Sequence, residues 1–184
     1  APLGYIGRYI RVHLEDSPKF REMEASREVS HAPVSLLLSQ HRRALLISIG
    51  VTMLNAVGFY IILSYMPTYL AVELGVGETD SFIATTIALV AYIGFIFLMG
   101  VLSDRLGRKT MLILASVAFI GLTVPLFSSL ASAGFLGIIL IQVAFGALLT
   151  MNDGTLPCFL SEIFPTRVRY SGFALSFNLA NAIF

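Results

Sequence analysis

Asp153 occupies an unusual place in this sequence, because it directly follows 43 consecutive uncharged residues, 110–152. A carboxylate inside an apolar segment is costly, and by default it indicates a function. Its chemistry suits two tasks: binding the cation of a small molecule, and taking up and releasing a proton. Its neighbours Asn152 and Gly154 also favour a local break in a helix at this point.

Other polar side chains recur at helical spacing inside apolar segments, so that each set would share one helix face. Three such faces could converge on a cavity, or each could hydrogen-bond to a neighbouring helix. The first face comprises Ser48, Thr52, Asn55, Phe59, Met66 and Tyr69, with Tyr65 beside it. The others comprise Gln142, Gly146, Leu149 and Asp153, and Ser171, Ala174, Asn178 and Asn181. The candidate ligand-binding residues are Asn55, Tyr65, Tyr69, Gln142, Asn152, Asp153 and Asn178.

Aromatic side chains are frequent in the same segments and could stack on a quaternary ammonium group. Other kinds of chemistry find little support. The histidines His13, His31 and His41 lack metal-ligand spacing and have no cysteine nearby, so no metal site is expected. No catalytic triad or phosphate-binding glycine loop is readable, and a net charge of +1 does not favour nucleic-acid binding. We therefore expect neither an enzyme nor a cofactor.

The segments that carry these residues are predicted to be membrane helices. Of the 184 residues, 57% are hydrophobic and only 12% are charged, whereas soluble domains have about 25% charged residues. Uncharged runs cover 44–72, 81–103 and 110–152, and about 20 apolar residues cross the hydrocarbon core. The small residues at 128–134 divide the longest run into two. The expected spans lie near 44–70, 81–103, 110–130, 135–160 and 172–184.

All twelve lysine and arginine residues fall on one side of this topology. The segments 8–43, 104–109 and 161–171 hold seven, three and two of them, whereas 71–80 and 131–134 hold none. Positive charge is retained on the cytoplasmic side of membranes. The three basic segments, from residue 14 onward in the first, are therefore predicted to be cytoplasmic.

An ordered string joins the second and third of these spans: residues 100–109 read G-V-L-S-D-R-L-G-R-K. Gly100 permits close helix packing, and Gly107 permits a turn that a Cβ would oppose. This string resembles the cytoplasmic loop signature of the major facilitator superfamily. In that superfamily it occurs between the second and third helices and again between the eighth and ninth.

A second string, S-E-I-F-P-T-R-V-R-Y-S-G at 161–172, resembles the loop between helices ten and eleven of the metabolite:proton symporters. The segment 60–70, together with 169–171 and Phe177-Asn178, resembles the proline/betaine branch of that family. The order and spacing of the strings place the chain from the end of helix six into helix eleven. We therefore expect a piece of a longer protein. Its parts would be the end of a membrane helix at 1–13, a cytoplasmic linker with interfacial helices at 14–43, and helices of the C-terminal transporter half at 44–184.

The resemblance implies an all-α integral membrane fold, with about five transmembrane helices, in a bacterial inner membrane. It implies proton-coupled symport of a small zwitterion such as proline or glycine betaine, by alternating access of two halves around a central site. The alternatives are an organic-acid symporter of the 2-oxoglutarate, citrate or shikimate type and, from another class, a non-transporting structural or receptor subunit. The expected partners are the small-molecule substrate, protons, the lipid bilayer and the missing N-terminal half, and no nucleic acid is expected.

The same resemblance implies that charged loop residues form contacts that break when the cytoplasmic side opens. Glu162 is expected to pair with Arg105 or Arg169, although such pairs could also be a fixed brace that only supports folding. The expected gating residues are Gly100, Asp104, Arg105, Gly107, Arg108, Glu162, Arg167 and Arg169.

Overall fold

The computed structural model describes residues 2–13 and 33–183, and within these ranges it contains helices and no strands. The helices are α1 Pro2–His13, α2 Pro33–Gln40, α3 Arg42–Phe59, α4 Met66–Val72, α5 Glu78–Leu106, α6 Arg108–Leu130, α7 Phe135–Asp153, α8 Leu156–Ile163 and α9 Arg169–Ile183. A π-helical segment, Tyr60–Tyr65, joins α3 to α4. Most of the predicted linker at 14–43 lies outside the described residues.

In the described part of the chain, four helical stretches are long and apolar enough to cross a membrane, namely Arg42–Val72, Glu78–Leu106, Arg108–Leu130 and Phe135–Ile163. Their outer surfaces are largely apolar: Ile120, for example, is 82% exposed. Such surfaces suit hydrocarbon, where a helix also satisfies its own backbone hydrogen bonds. The prediction of an all-α membrane bundle is therefore confirmed.

Pro67 explains the change of helix geometry between α3 and α4. Proline has no N–H to donate to the preceding turn, and its ring crowds the carbonyl four residues earlier. The turn before it is widened to π geometry, at Tyr60–Tyr65. A π turn shifts the register of the residues that follow it. Side chains of α4 therefore do not continue the face on which Asn55 lies.

Small residues allow α5 and α7 to pack closely. A Cβ added at Gly154, just after α7, would lie 2.9 Å from the carbonyl oxygen of Ile96 and 3.0 Å from the backbone nitrogen of Gly100. Nearer the start of α7, a Cβ added at Gly146 would lie 3.6 Å from the carbonyl oxygen of Ala88 in α5. The close helix packing predicted at Gly100 is therefore present.

The connections α2–α3, α5–α6 and α8–α9 lie at the same end of the bundle. Leu37 of α2 and Leu45 of α3 share a buried cluster with Phe164 and Val168, which lie between α8 and α9. Gly107 connects α5 to α6 with φ of 91°, a conformation that L side chains rarely adopt. The turn predicted from this glycine is thus observed, and it places the charged loop residues next to the end of α8.

Candidate functional site

The long helix Phe135–Ile163 is interrupted between α7 and α8, at Gly154 and Thr155. Asp153 is the last residue of α7, and Pro157 is the second residue of α8. Because proline has no N–H, Pro157 cannot give the carbonyl of Asp153 its usual helical hydrogen bond. The local break that Asn152 and Gly154 favoured is therefore present, and Asp153 lies directly at it.

The carboxyl group of Asp153 connects three helices. The hydroxyl of Tyr92 in α5 donates a hydrogen bond to Oδ2 of Asp153 at 2.5 Å, and Nδ2 of Asn55 in α3 donates to Oδ1. The Asp153 side chain is nearly buried, with 9% exposed. Both donors suit an ionised carboxylate, which can only accept hydrogen bonds. Neither donor carries a positive charge, so Asp153 has no counter-ion among the described residues that it contacts.

These three residues face a cavity of about 370 Å³ between α3, α5, α7, α8 and α9. The cavity is lined by Asn55, Ala56, Phe59, Tyr92, Asp153, Leu156, Pro157, Phe177 and Asn181. None of these described lining residues is basic, and most are apolar or aromatic. A mostly apolar cavity with a few convergent polar groups is typical of small-molecule sites. Its chemistry suits a small molecule that carries a positive charge.

Two predicted ligand-binding residues of α7 lie elsewhere. Gln142 is 1% exposed, and its Oε1 accepts a hydrogen bond from the hydroxyl of Thr85 in α5 at 2.9 Å. Asn152 is fully buried, and its amide atoms have no hydrogen-bond partner within the described part of the chain. Neither residue lines the cavity. For Gln142, the structure therefore favours the alternative of a polar contact between helices.

Three other predicted ligand-binding residues also lie away from the cavity lining. Tyr69 packs edge-on against Phe127 of α6, with 5.9 Å between ring centroids, and Tyr65 lies 6.4 Å from Tyr69. The register shift of the π-helical segment accounts for their position. Asn178 is exposed and donates to the carbonyl of Ala174 at 2.8 Å. On α9, the cavity is lined instead by Asn181.

Tyr92 was not among the predicted ligand-binding residues. A signal was present in the sequence, because Tyr92 is the only tyrosine in the uncharged run 81–103. A tyrosine hydroxyl inside a membrane segment usually needs a hydrogen-bond partner. That partner is Asp153, 61 residues later in the chain, so the pairing itself required the fold.

A separate cluster of charges joins α5, α6 and α8. Arg108 lies 2.8 Å from a carboxylate oxygen of Asp104 and 3.4 Å from one of Glu162. The predicted pairing of Glu162 with Arg105 or Arg169 is therefore wrong, because the turn at Gly107 brings Arg108 to Glu162. Arg169 instead donates from Nε to the carbonyl of Phe164 at 3.3 Å.

The other two predicted gating arginines are exposed. Arg105 makes no ion pair with any residue that the structure describes, although it lies only three positions before Arg108. Arg167 lies in the connection between α8 and α9. The part of the predicted gating set that the structure brings together is thus Asp104, Arg108 and Glu162.

Comparison with known proteins gives consistent matches. The family model described as "Sugar (and other) transporter" matches residues 11–183. The chain is 34% identical to the glycine betaine/proline/ectoine/pipecolic acid transporter OusA of Dickeya dadantii, over 97% of this chain and 38% of the relative. It is 33% identical to the proline/betaine transporter of Salmonella typhimurium, with the same coverage. It is 30% identical to the ectoine/proline transporter ProP of Corynebacterium glutamicum, over 100% of this chain and 38% of the relative.

The chain thus spans about two fifths of the length of these curated relatives. These relatives are named as transporters. No solved structure gives a significant match.

Proposed function

Because the chain belongs to the sugar (and other) transporter family of the major facilitator superfamily, we propose that it forms part of a secondary active transporter. The cargo is a small zwitterionic osmolyte such as proline or glycine betaine, which is the class that the names of its relatives describe. Transport proceeds by alternating access, in which two halves of the protein rock around a site near the middle of the bilayer. The observation that carries the proposal is the cavity at Asp153, which lies between helices of the membrane bundle.

In this proposal the cavity supplies one part of the cargo site, with Asn55 and Asp153 as cargo-binding residues. Tyr92 and Asn181 join them, because both line the same cavity. Intramembrane carboxyl groups mark the paths of substrates and ions in membrane proteins. The missing N-terminal half of the protein supplies the facing part of the site.

The charge of the cavity bears on the choice between the two cargo classes. An organic acid carries one or more carboxylates, and recognition of carboxylates generally uses arginine or lysine. The described lining of the cavity contains a carboxyl group and no basic residue. A zwitterion with an ammonium group fits this charge better than an organic acid.

Proton coupling is supported by the resemblance of residues 161–172 to the corresponding loop of metabolite:proton symporters. We place the transporter in the bacterial inner membrane, with the basic segments 14–43, 104–109 and 161–171 in the cytoplasm. This orientation is supported by the distribution of lysine and arginine. It also agrees with the position of α2 at the end of the bundle that holds the loop charges.

The Asp104–Arg108–Glu162 cluster forms part of the cytoplasmic gate in this proposal. It spans the turn between α5 and α6 and the end of α8, so it would hold these elements together only while that side is closed. Glu162→Gln removes the ion pair between Arg108 and Glu162. It should increase the rate at which a thiol reagent labels cysteines introduced into the cytoplasmic side of the cavity. Unchanged transport and unchanged accessibility in both Glu162→Gln and Arg108→Gln would argue against the gate.

The proposed function is tested by uptake into proteoliposomes that contain the native protein of which this chain is part. Labelled glycine betaine, proline and 2-oxoglutarate are compared with and without an imposed proton gradient. We expect gradient-dependent accumulation of the two zwitterions and not of the dicarboxylate. Accumulation of 2-oxoglutarate alone would support the organic-acid alternative, and no gradient-dependent uptake of any of them would contradict the proposal.

A further inference from the structure

We propose that the cavity holds the cationic end of the zwitterion, with Asp153 as its counter-charge and Phe59 and Phe177 as aromatic walls. This inference rests on the proposed function and adds to it an orientation of the cargo. The ammonium group points toward the break between α7 and α8, and the carboxylate of the cargo points away from it.

The first argument is the uncompensated charge of Asp153. Its two hydrogen-bond donors, Tyr92 and Asn55, hold the carboxyl group in place but remain neutral. The other described lining residues from α3, α8 and α9 are also uncharged. A buried charge without a partner is strongly unfavourable, so a ligand that brings a positive charge gains binding energy here.

The backbone around Asp153 adds to the negative potential. Asp153 is the last residue of α7, and the C-terminal end of a helix carries a partial negative charge. Pro157 cannot donate to the carbonyl of Asp153, since it has no N–H. The N-terminal end of α8, at Leu156, opposes the charge of the α7 end, so the Asp153 carbonyl is the feature that favours a cation here.

The second argument is the apolar character of the remaining wall. Phe59 and Phe177 are 46% and 39% exposed, and both line the cavity together with Ala56 and Leu156. Aromatic faces attract cations, and quaternary ammonium groups are recognised in this way. Methylated or ring-bound ammonium groups also bury their carbon atoms against such a wall. A strongly hydrated metal ion would leave most of this surface without a suitable contact.

The contribution of the cargo's positive charge to binding is measured by comparing glycine betaine with 3,3-dimethylbutanoate, in which a carbon atom replaces the quaternary nitrogen. The two compounds have nearly the same shape, but only glycine betaine is cationic at one end. Binding of each is measured with the native protein in detergent by calorimetry. A close pair of opposite charges changes affinity by about tenfold or more. We expect the native protein to prefer glycine betaine over 3,3-dimethylbutanoate by at least that factor.

Asp153→Asn removes the negative charge but keeps the size of the side chain. We expect the ratio of the affinities for glycine betaine and 3,3-dimethylbutanoate to fall toward one in this variant. Asp80→Asn is the control, because Asp80 is an exposed acidic residue of α5, and it should keep the native ratio. Because Asp153→Asn could also disturb folding, the native protein is tested as well. Tetramethylammonium should compete with glycine betaine at least about tenfold better than 3,3-dimethylbutanoate does, because only tetramethylammonium brings a positive charge.

Two outcomes would overturn the inference. They are an unchanged preference in Asp153→Asn and stronger competition by 3,3-dimethylbutanoate than by tetramethylammonium. If the unchanged preference comes with a loss of accumulation driven by the proton gradient, Asp153 is instead a proton carrier. In each case the native protein still takes up glycine betaine, so the proposed function stands. Absence of any uptake or binding of zwitterions would instead contradict the proposed function itself.

Discussion

Replacement of Gly154 by alanine tests the packing that brings Asp153 to Tyr92. The added Cβ would lie 2.9 Å from the carbonyl oxygen of Ile96 and 3.0 Å from both the Gly100 nitrogen and the Thr150 carbonyl oxygen. All three are backbone atoms, so no side-chain rotation relieves the contact. Ordinary contacts of a Cβ begin near 3.4 Å. The Ile96 and Gly100 atoms belong to α5, so α5 and α7 would have to separate by about 0.5 Å at this point.

Overpacking of a well-packed contact typically costs about 1–3 kcal/mol. We expect Gly154→Ala to lower the free energy of unfolding by that amount. The same separation would lengthen the 2.5 Å hydrogen bond between Tyr92 and Asp153, which bridges the two helices nearby. Affinity for the cargo should therefore fall together with stability.

Unfolding of the native protein in mixed micelles, titrated with sodium dodecyl sulfate and followed by circular dichroism, measures this effect. Gly94→Ala is the matched control, because Gly94 lies in α5 and a Cβ added there meets nothing within 4 Å. We expect no loss of stability in the control, since alanine is the better helix former. Equal stability of Gly154→Ala and the native protein would refute the close approach of α5 and α7.

Two further variants test individual contacts. Tyr92→Phe removes the hydroxyl that donates to Asp153 and should lower the free energy of unfolding by about 1–3 kcal/mol. Tyr65→Phe is the control. The hydroxyl of Tyr65 makes no hydrogen bond to any described residue, so this variant should leave the free energy of unfolding unchanged. An equal effect of both variants would contradict the assigned contact. Glu162→Gln should change the free energy of unfolding by less than about 1 kcal/mol, because the Glu162 side chain is 58% exposed and lies at a long 3.4 Å from Arg108. A much larger loss would identify the pair as a brace for folding rather than a gate.

Much of the fold could be predicted from where charges are absent and where glycines lie. Runs of uncharged residues longer than a bilayer crossing predict membrane helices, and the small residues at 128–134 predict the hairpin between α6 and α7. Gly107 predicts a turn, and its φ of 91° explains why the position suits glycine. These features depend on residues that are adjacent in the sequence, so they can be predicted without knowledge of the fold.

The site was only partly predictable, because its contacts join distant residues. Asn55 and Asp153 could each be selected as polar residues in apolar segments, but their contact spans 98 positions. Regular helical spacing predicts Tyr69 on the face of Asn55 and Tyr65 beside that face, but the π-helical segment interrupts this spacing. Likewise, charge alone could not decide which arginine Glu162 meets, since Arg105 and Arg108 lie within one turn of each other in the sequence.

The central claim, that the cavity beside Asp153 is where cargo binds, is tested most directly by substrate protection of an introduced cysteine. The exposed Cys158 is first replaced by alanine in the native protein. Asn181→Cys then places a thiol in the cavity lining, and Asn178→Cys, on the same helix, places a thiol outside the cavity. The rate of labelling by a methanethiosulfonate reagent is measured with and without saturating glycine betaine. We predict that glycine betaine slows labelling at position 181 at least several-fold and leaves position 178 unchanged. Equal labelling rates at position 181 with and without glycine betaine, in a protein that still takes it up, would contradict the claim.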